Sequence, residues 1–282
     1  MLRFIVDASF ATHGGPVLSR VITTALVATA LAAPAAQAKT TITMSGSTSV
    51  APLVRSLATK YIALNPGKVS FKLQQGGSDT GINDVAHGRV TIGNASRKPQ
   101  PSDPGGLVFN RIAYDAVCLI THPSNPLSGL SQAQVQSIFT GRTRSWSQVP
   151  GARSKGAIDI ITRTATSGTA DAFREIFLGN TLNVAASAQA KSSNGLVNQE
   201  VRTNENAIGF VSLDFVQGVS TVLYQGVACT LRNAKSGQYQ GVRPFSMVTR
   251  GKPTGAVKTW IRWIQQSDAA RAIVNTHWIP LR

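Results

Sequence analysis

Three short segments set hydroxyls and glycines where a strand gives way to a helix. They are Ser45-Gly46-Ser47-Thr48-Ser49, Gly76-Gly77-Ser78-Asp79-Thr80 and Thr166-Ser167-Gly168-Thr169. Glycine lets the backbone come close to a ligand, and Ser and Thr hydroxyls donate hydrogen bonds. The first N–H groups of a helix lack internal partners and stand at the positive end of its dipole. Such turns suit a tetrahedral oxyanion, whose oxygens each accept several donors. Arg163, just ahead of the third segment, adds a planar guanidinium that can grip such an anion in bidentate fashion. Taken singly, each turn also reads as an ordinary helix cap.

The elements around these turns follow an alternating rhythm. Thr41 to Met44 predicts a strand, and Val50, Leu53, Val54, Leu57, Tyr61 and Leu64 then fall at helical spacing until Asn65-Pro66-Gly67 stops the helix. Val69, Phe71 and Leu73 alternate as a second strand, a short helix follows over 80–87, and 90–93 is a third strand. The apolar run 113–120 reads as a buried strand. Beyond it come a helix over 131–139, a strand at 158–162 and a helix bearing Phe173, Ile176, Phe177 and Leu178. A helix over 196–202, strands at 207–213 and 247–249, and a helix over 253–266 complete the pattern. Strands that alternate with helices predict an α/β sheet.

Composition narrows the function classes. The chain has 282 residues, a net charge of +16 and only two cysteines, with no CxxC or Cys/His cluster. That excludes zinc ribbons, iron–sulfur centres and a disulfide scaffold, and four histidines without HExxH spacing give no metal site. Residues 1–38 read as a secretory leader: Arg3 and Arg20 precede the uncharged apolar run 21–33, which ends at Ala36-Gln37-Ala38. The run is shorter than the ~20 residues of a bilayer span. The remainder is expected to be exported, periplasmic or secreted after cleavage near Ala38, and strongly basic.

In this setting the sequence resembles the phosphate-binding proteins of phosphate ABC transporters, within the type II periplasmic-binding-protein superfamily. The matching pieces are Gly46 to Pro52, Gly76 to Gly81, Ile92 to Arg97, Ile138 to Gly141 with Trp146, Arg163 to Thr169, Ala207 to Val211, Arg243-Pro244-Phe245 and Ile279-Pro280-Leu281. The resemblance implies a two-lobed α/β fold with two crossovers, near 115–119 and 211–218, and a ligand cleft between lobes. Lobe one would hold 39–115 with 219–282, and lobe two 116–218. Inorganic phosphate would be held by Ser47, Thr48 and Ser49, by Ser78 and Asp79, by Ser96 and Arg97, and from the other lobe by Arg163, Ser167, Gly168 and Thr169. Donors on both lobes would let the anion draw the cleft shut. Many family members carry an Asp after the third strand that accepts the proton of phosphate; this chain has Asn94-Ala95-Ser96-Arg97 there, and Asp79 is the candidate replacement.

The resemblance further implies no cofactor, no catalytic residue, and a monomer that delivers its ligand to the permease and ATPase subunits of an ABC transporter. Two other classes are weighed against it. A phosphatase or hydrolase needs a base beside its nucleophile, yet His87, His122 and His277 all lie away from the serine-rich turns. A binder of nucleic acid or anionic surfaces would draw on the basic charge, but no basic run or aromatic interleaving marks specific nucleic-acid contact. Sulfate or another oxyanion is the alternative ligand. Cys118 and Cys229 are expected either as a disulfide or as packed thiols.

Overall fold

The computed structural model describes residues 39–281, so the leader lies outside the described residues. Strand β1 (Thr40–Gly46) pairs in parallel with β2 (Val69–Leu73) and β3 (Ile92–Ala95). Helix α1 (Ala51–Leu64) follows β1, with a proline in its first turn and a buried stripe of Leu53, Val54, Leu57 and Tyr61. Helix α2 (Ser78–Ala86) joins β2 to β3. These strand–helix–strand units set the carboxyl ends of β1 and β3 side by side.

Strand β4 (Leu107–Thr121) is far longer than the 113–120 run predicts, and it belongs to two half-sheets. Its first part pairs antiparallel with β9 (Val242–Arg250), which also borders β3. Its second part, Val117 to Thr121, pairs with β7 (Ala207–Ser212). Beyond β7 lie β5 (Asp159–Arg163) and β6 (Gln189–Lys191), both parallel, giving the order β2-β1-β3-β9-β4-β7-β5-β6, with β8 (Ser220–Thr221) on the side of β4. Both crossings between half-sheets are therefore backbone ladders through β4 and β9.

Each half-sheet has its own core, as the two-lobed fold requires. Ile42, Met44, Leu53, Phe245 and Trp260 pack around the first, which is closed by α7 (Gly255–Gln266) and α8 (Asp268–His277). Val117, Phe139, Trp146, Phe173 and Phe210 pack around the second. Helix α3 (Gln132–Phe139) enters the second core behind a capping box in which Ser131 and Gln134 satisfy each other's backbone N–H groups. Smaller clusters, Ile82 with Val85 and Val248, and Ile161 with Val197 and Val201, cover the opposite sheet faces.

One segment sits elsewhere than expected. Val222, Tyr224, Cys229 and Tyr239 pack into the second core, although 219–282 was assigned to the first lobe. Strand β8 pairs with the second half of β4, and Tyr239 donates to the Val117 carbonyl at 2.7 Å. The chain passes through α6 (Leu231–Ser236) and returns only at β9. Cys118 of β4 and Cys229 are joined as a disulfide that pins this segment to the sheet, which decides between the two states open from sequence.

The disulfide closes a loop with a sequence separation of 111 residues. Loop-closure entropy for such a span gives a contribution of about 3–5 kcal/mol. A Cys118→Ser/Cys229→Ser variant is expected to melt about 10 °C lower in a thermal denaturation scan. An unchanged melting temperature would show that the loop is held by packing alone.

Candidate functional site

The three hydroxyl-rich turns converge where the two half-sheets meet. The first follows β1, the second opens α2, and the third follows β5 and opens α4 (Gly168–Phe173). Each lies beyond the carboxyl end of a strand, where open α/β sheets place ligands. Ser47, Thr48, Ser49, Ser78, Ser96, Arg163, Ser167 and Thr169 are all buried. Ser167 caps α4, its Oγ accepting from the N–H groups of Thr169 and Ala170. Ser47 does the same for Ser49 and Val50 ahead of α1.

Contacts across the two halves are specific. Ser49 Oγ lies 3.0 Å from Thr169 Oγ1, and Arg163 Nη2 donates to Thr48 Oγ1 at 3.2 Å. The Asp79 N–H donates to the Thr166 carbonyl at 3.1 Å, while Thr166 Oγ1 donates to the Gly76 carbonyl. Within the first half, Ser47 donates to Ser96 Oγ, and Ser78 Oγ accepts from the Ser96 N–H. Gly168 leaves no room for a side chain: a Cβ there would run into Ser78 Oγ, with Ser78 Cβ at 2.8 Å and Ser96 Oγ at 3.1 Å. Gly77, at φ +98°, adopts a conformation that favours glycine and backs directly onto Thr166.

Charge in this region is unbalanced. Arg163 is 4% exposed; its Nε and Nη2 donate to the carbonyls of Lys191 and Ser192, but the buried Nη1 has no hydrogen-bond partner among the described residues. Burial, reinforced by the nearby Arg243, pulls its pKa down to about 9. Arg243 of β9 is 2% exposed, donating to Ser49 Oγ at 2.9 Å and to the Ser96 carbonyl at 3.2 Å. It also pairs with Asp115 Oδ2 at 2.9 Å, an oxygen that Ser212 reaches at 2.8 Å. Burial pushes Asp115 up and Arg243 down, and their ion pair opposes both shifts. Asp115 thus pairs with Arg243, and Arg163 has no carboxylate partner among the described residues. An uncompensated buried charge costs several kcal/mol, so this arrangement favours an anion.

Asp79 and Arg97, both assigned to the site from the sequence, face each other instead of the converged hydroxyls. The five N–H donors of Arg97 are occupied by Asp79, Asp103 and the Lys98 carbonyl, and its Nε also lies 3.2 Å from Asp171 Oδ2 on α4. Although burial alone would lower it, bonds with Asp103 and Asp79 hold the Arg97 guanidinium above its ordinary range. Lys98 and Glu175 form a second ion pair beside it. This cluster ties the two halves together by charge.

Sequence reasoning overlooked Asn194, Arg243 and Asp115 as site groups. Asn194, at the start of α5 (Asn194–Thr203), donates from Nδ2 to Thr48 Oγ1 at 3.2 Å and Ser49 Oγ at 2.8 Å. The motif Arg243-Pro244-Phe245 marked a resemblance without a role. Asp115 sat inside the predicted crossing. A lone Arg or Asp within an apolar strand was the available signal, since such a charge is rarely buried without a partner.

Residues 31–268 match the model of the PBP superfamily domain. A substrate-binding protein from Clostridium perfringens, solved with bound phosphate, is 33% identical and superposes with a TM-score of 0.80 over 86% of this chain and 100% of its own. An ABC-type phosphate transport receptor from Vibrio cholerae is 28% identical, with a TM-score of 0.71 over 86% of this chain and 100% of that one. The phosphate-binding protein PstS of Bacillus subtilis is 27% identical over 253 residues, spanning 87% of this chain and 82% of the relative.

The charge cluster yields a prediction of its own. Arg97→Ala would leave Asp79, Asp103 and Asp171 facing one another without their shared cation. Losing one partner of a buried pair costs about 3–5 kcal/mol, which urea denaturation followed by circular dichroism would register as a lower midpoint. A midpoint equal to that of the parent would deny Arg97 this structural role.

Proposed function

The chain belongs to the PBP superfamily, and we propose that it captures inorganic phosphate outside the cytoplasm and delivers it to an ABC transporter. The observation that carries this reading is the pair of buried guanidiniums, Arg163 and Arg243, set over serine- and threonine-rich turns, with Asp115 paired to Arg243 alone. Phosphate supplies the missing negative charge, and its oxygens accept the donors that converge from both halves. The bound phosphate in the Clostridium perfringens relative and the names of the other two support the same ligand.

In this reading lobe one comprises 39–115 and 242–281, and lobe two 116–241, the second crossing moved to β9. Ser47, Thr48, Ser49, Ser78 and Ser96 serve lobe one's side of the cleft. Arg163, Ser167, Gly168 and Thr169 serve the other, joined by Asn194. Asp79 and Arg97 act one step away, as part of the charge cluster that holds the lobes together. Specificity arises from preformed donors that replace the anion's water shell. No bond is made or broken: the ligand leaves as it arrived. The protein works as a monomer that hands phosphate to permease and ATPase subunits, after a leader is removed near Ala38.

Closure follows from the distribution of donors. Only the closed arrangement brings Arg163 and Thr169 against Thr48 and Ser49, so a ligand that needs all of them favours that state. Gly168 permits the approach, because the Ser78 side chain fills the place where a Cβ would lie.

Arg163→Ala should weaken phosphate binding by about 3–5 kcal/mol in calorimetric titration, since a charge-assisted contact in a dry site is lost. An unchanged dissociation constant would remove Arg163 from the site. The sign of the pH dependence follows from its pKa of about 9. Below that value Arg163 is charged and available. Above it the free protein loses the cation, so phosphate affinity should fall from pH 9 upward, and a flat profile to pH 10 would argue against a direct contact. Because phosphate binds the folded state alone, a hundredfold excess over its dissociation constant should stabilise the protein by about 2.7 kcal/mol, seen as a rise in melting temperature.

A further inference from the structure

The acidic residues of the first half are engaged internally, and most of its basic ones are not. Over 39–115 and 242–281 the acids are Asp79, Asp84, Asp103, Asp115 and Asp268. Asp79 and Asp103 pair with Arg97, Asp84 with Arg89 and Asp115 with Arg243, so among the described residues only Asp268 lacks a basic partner. Helices α1 and α7 hold no acidic residue. Lys60 on α1, Lys68 in the turn after it, Lys258 and Arg262 on α7, and Arg271 on α8 are all exposed. None of them pairs with a carboxylate among the described residues. Arg55, the other base of α1, lines a recess with Thr48 and Asn194 and stands apart from this group.

The fold gathers these cations on one surface. Helices α1, α7 and α8 cover the same face of the first half-sheet through Leu53, Leu57, Trp260, Ile264 and Val274, and α8 touches both of the others. Lys258 and Arg262, four residues apart, share a side of α7. Tyr61 lies against Trp260 and Trp263, with ring centroids 4.9 and 5.0 Å away, which brings the end of α1 beside the middle of α7. At that end Ile62 and Leu64 are 39% and 51% exposed, and only Leu196 among the other large hydrophobics of the described residues is comparably open. An aliphatic pair between Lys60 and Lys68 suits anionic lipid, where bases meet headgroups and apolar side chains enter the acyl boundary. A soluble polyanion would use the bases and leave the aliphatic pair in water.

We propose that this face docks on an anionic phospholipid bilayer, with Lys60, Lys68, Lys258, Arg262 and Arg271 against the headgroups and Ile62 and Leu64 in the acyl boundary. The inference rests on the reading of an exported carrier that serves a membrane transporter, and adds a reversible hold on the lipid around that transporter. Docking and anion capture use separate residues, since the cleft is built from the turns after β1, β2, β3 and β5. Each base near an anionic surface contributes about fivefold in partitioning, and salt screens most of that attraction.

The test sediments the processed chain, which from residue 39 holds both cores, with vesicles of phosphatidylcholine alone or with about 30% phosphatidylglycerol, at about 0.05 M and about 0.5 M salt. Binding to the anionic vesicles should exceed binding to the neutral ones by about tenfold or more and fall by about tenfold at high salt. Lys258→Glu/Arg262→Glu should lose about tenfold or more of the anionic-vesicle affinity. Arg142→Glu/Arg144→Glu, an equal charge change at exposed positions of the second half, should lose less than about threefold. Ile62→Ser/Leu64→Ser, which keeps every charge, should lose about tenfold, and Leu64→Ser alone about threefold if the double variant does not fold. Melting curves establish that each variant is folded. Equal binding to neutral and anionic vesicles, or equal losses in the two charge-reversal pairs, would overturn the assignment of this face. Parental binding by the folded serine variants would overturn the bilayer as the partner and point to a soluble polyanion. Calorimetric titration with phosphate keeps the two readings apart: a chain that binds phosphate and ignores anionic vesicles overturns the docking alone. Vesicle binding without phosphate binding overturns the phosphate reading and retains the docking.

Discussion

Arg163 and Arg243 come from opposite halves of the protein and end beside two neighbouring hydroxyls, Thr48 and Ser49. Like charges brought together away from water repel strongly and lose their hydration, and Asp115 offsets only one of them. Much of the surrounding architecture can be understood as holding this arrangement. The long β4 carries Asp115, its antiparallel partner β9 carries Arg243 directly opposite, and β7 brings Ser212 to the same carboxylate. The crossing between half-sheets is thus also the floor of the cleft. Anion binding and lobe closure draw on the same few groups.

Around that centre the fold separates two kinds of charge. Inside the cleft, guanidiniums meet hydroxyls and carbonyls, and an anion is the missing partner. One step outward, Arg97 is surrounded by Asp79, Asp103 and Asp171, so its charge is spent locally on joining lobe one to α4. Asp171 bears on both lobes, and burial followed by the nearby Asp79 pushes its carboxyl up. The difference between Arg163 and Arg97 lies in their neighbours, since both are buried arginines at the end of a strand. Acids within reach make a tether; their scarcity makes a binding site.

Much of the frame was legible in the sequence because it rests on local patterns. The spacing of Val50, Leu53, Val54, Leu57 and Tyr61 predicts α1, and the strand-to-helix turns stand out by their glycines and hydroxyls. The lone Arg163 beside Thr166 to Thr169 was legible for the same reason. What was not legible depends on distant pairing. Nothing near Arg97 in the chain reveals that Asp79 and Asp171 enclose it. Arg243 and Asp115 meet only through the register of β4 with β9. Residues 219–241 lack a strong period, and their place against the second core is set by Tyr239, Tyr224 and the bond from Cys118 to Cys229. Asn194 looks like an ordinary residue at a helix start, but its Oδ1 accepts from the Ser212 N–H at 3.1 Å, a pairing that no local pattern reveals.

The central claim is that the two buried cations exist to receive one tetrahedral anion between the lobes. A crystal structure of the stripped protein grown with saturating phosphate tests it most directly. The account predicts a single tetrahedral group enclosed by both lobes, with an oxygen on Arg163 Nη1 and others on the Ser78 and Thr169 side chains. Phosphate bound only on the outer surface, with no anion between the lobes, would contradict it.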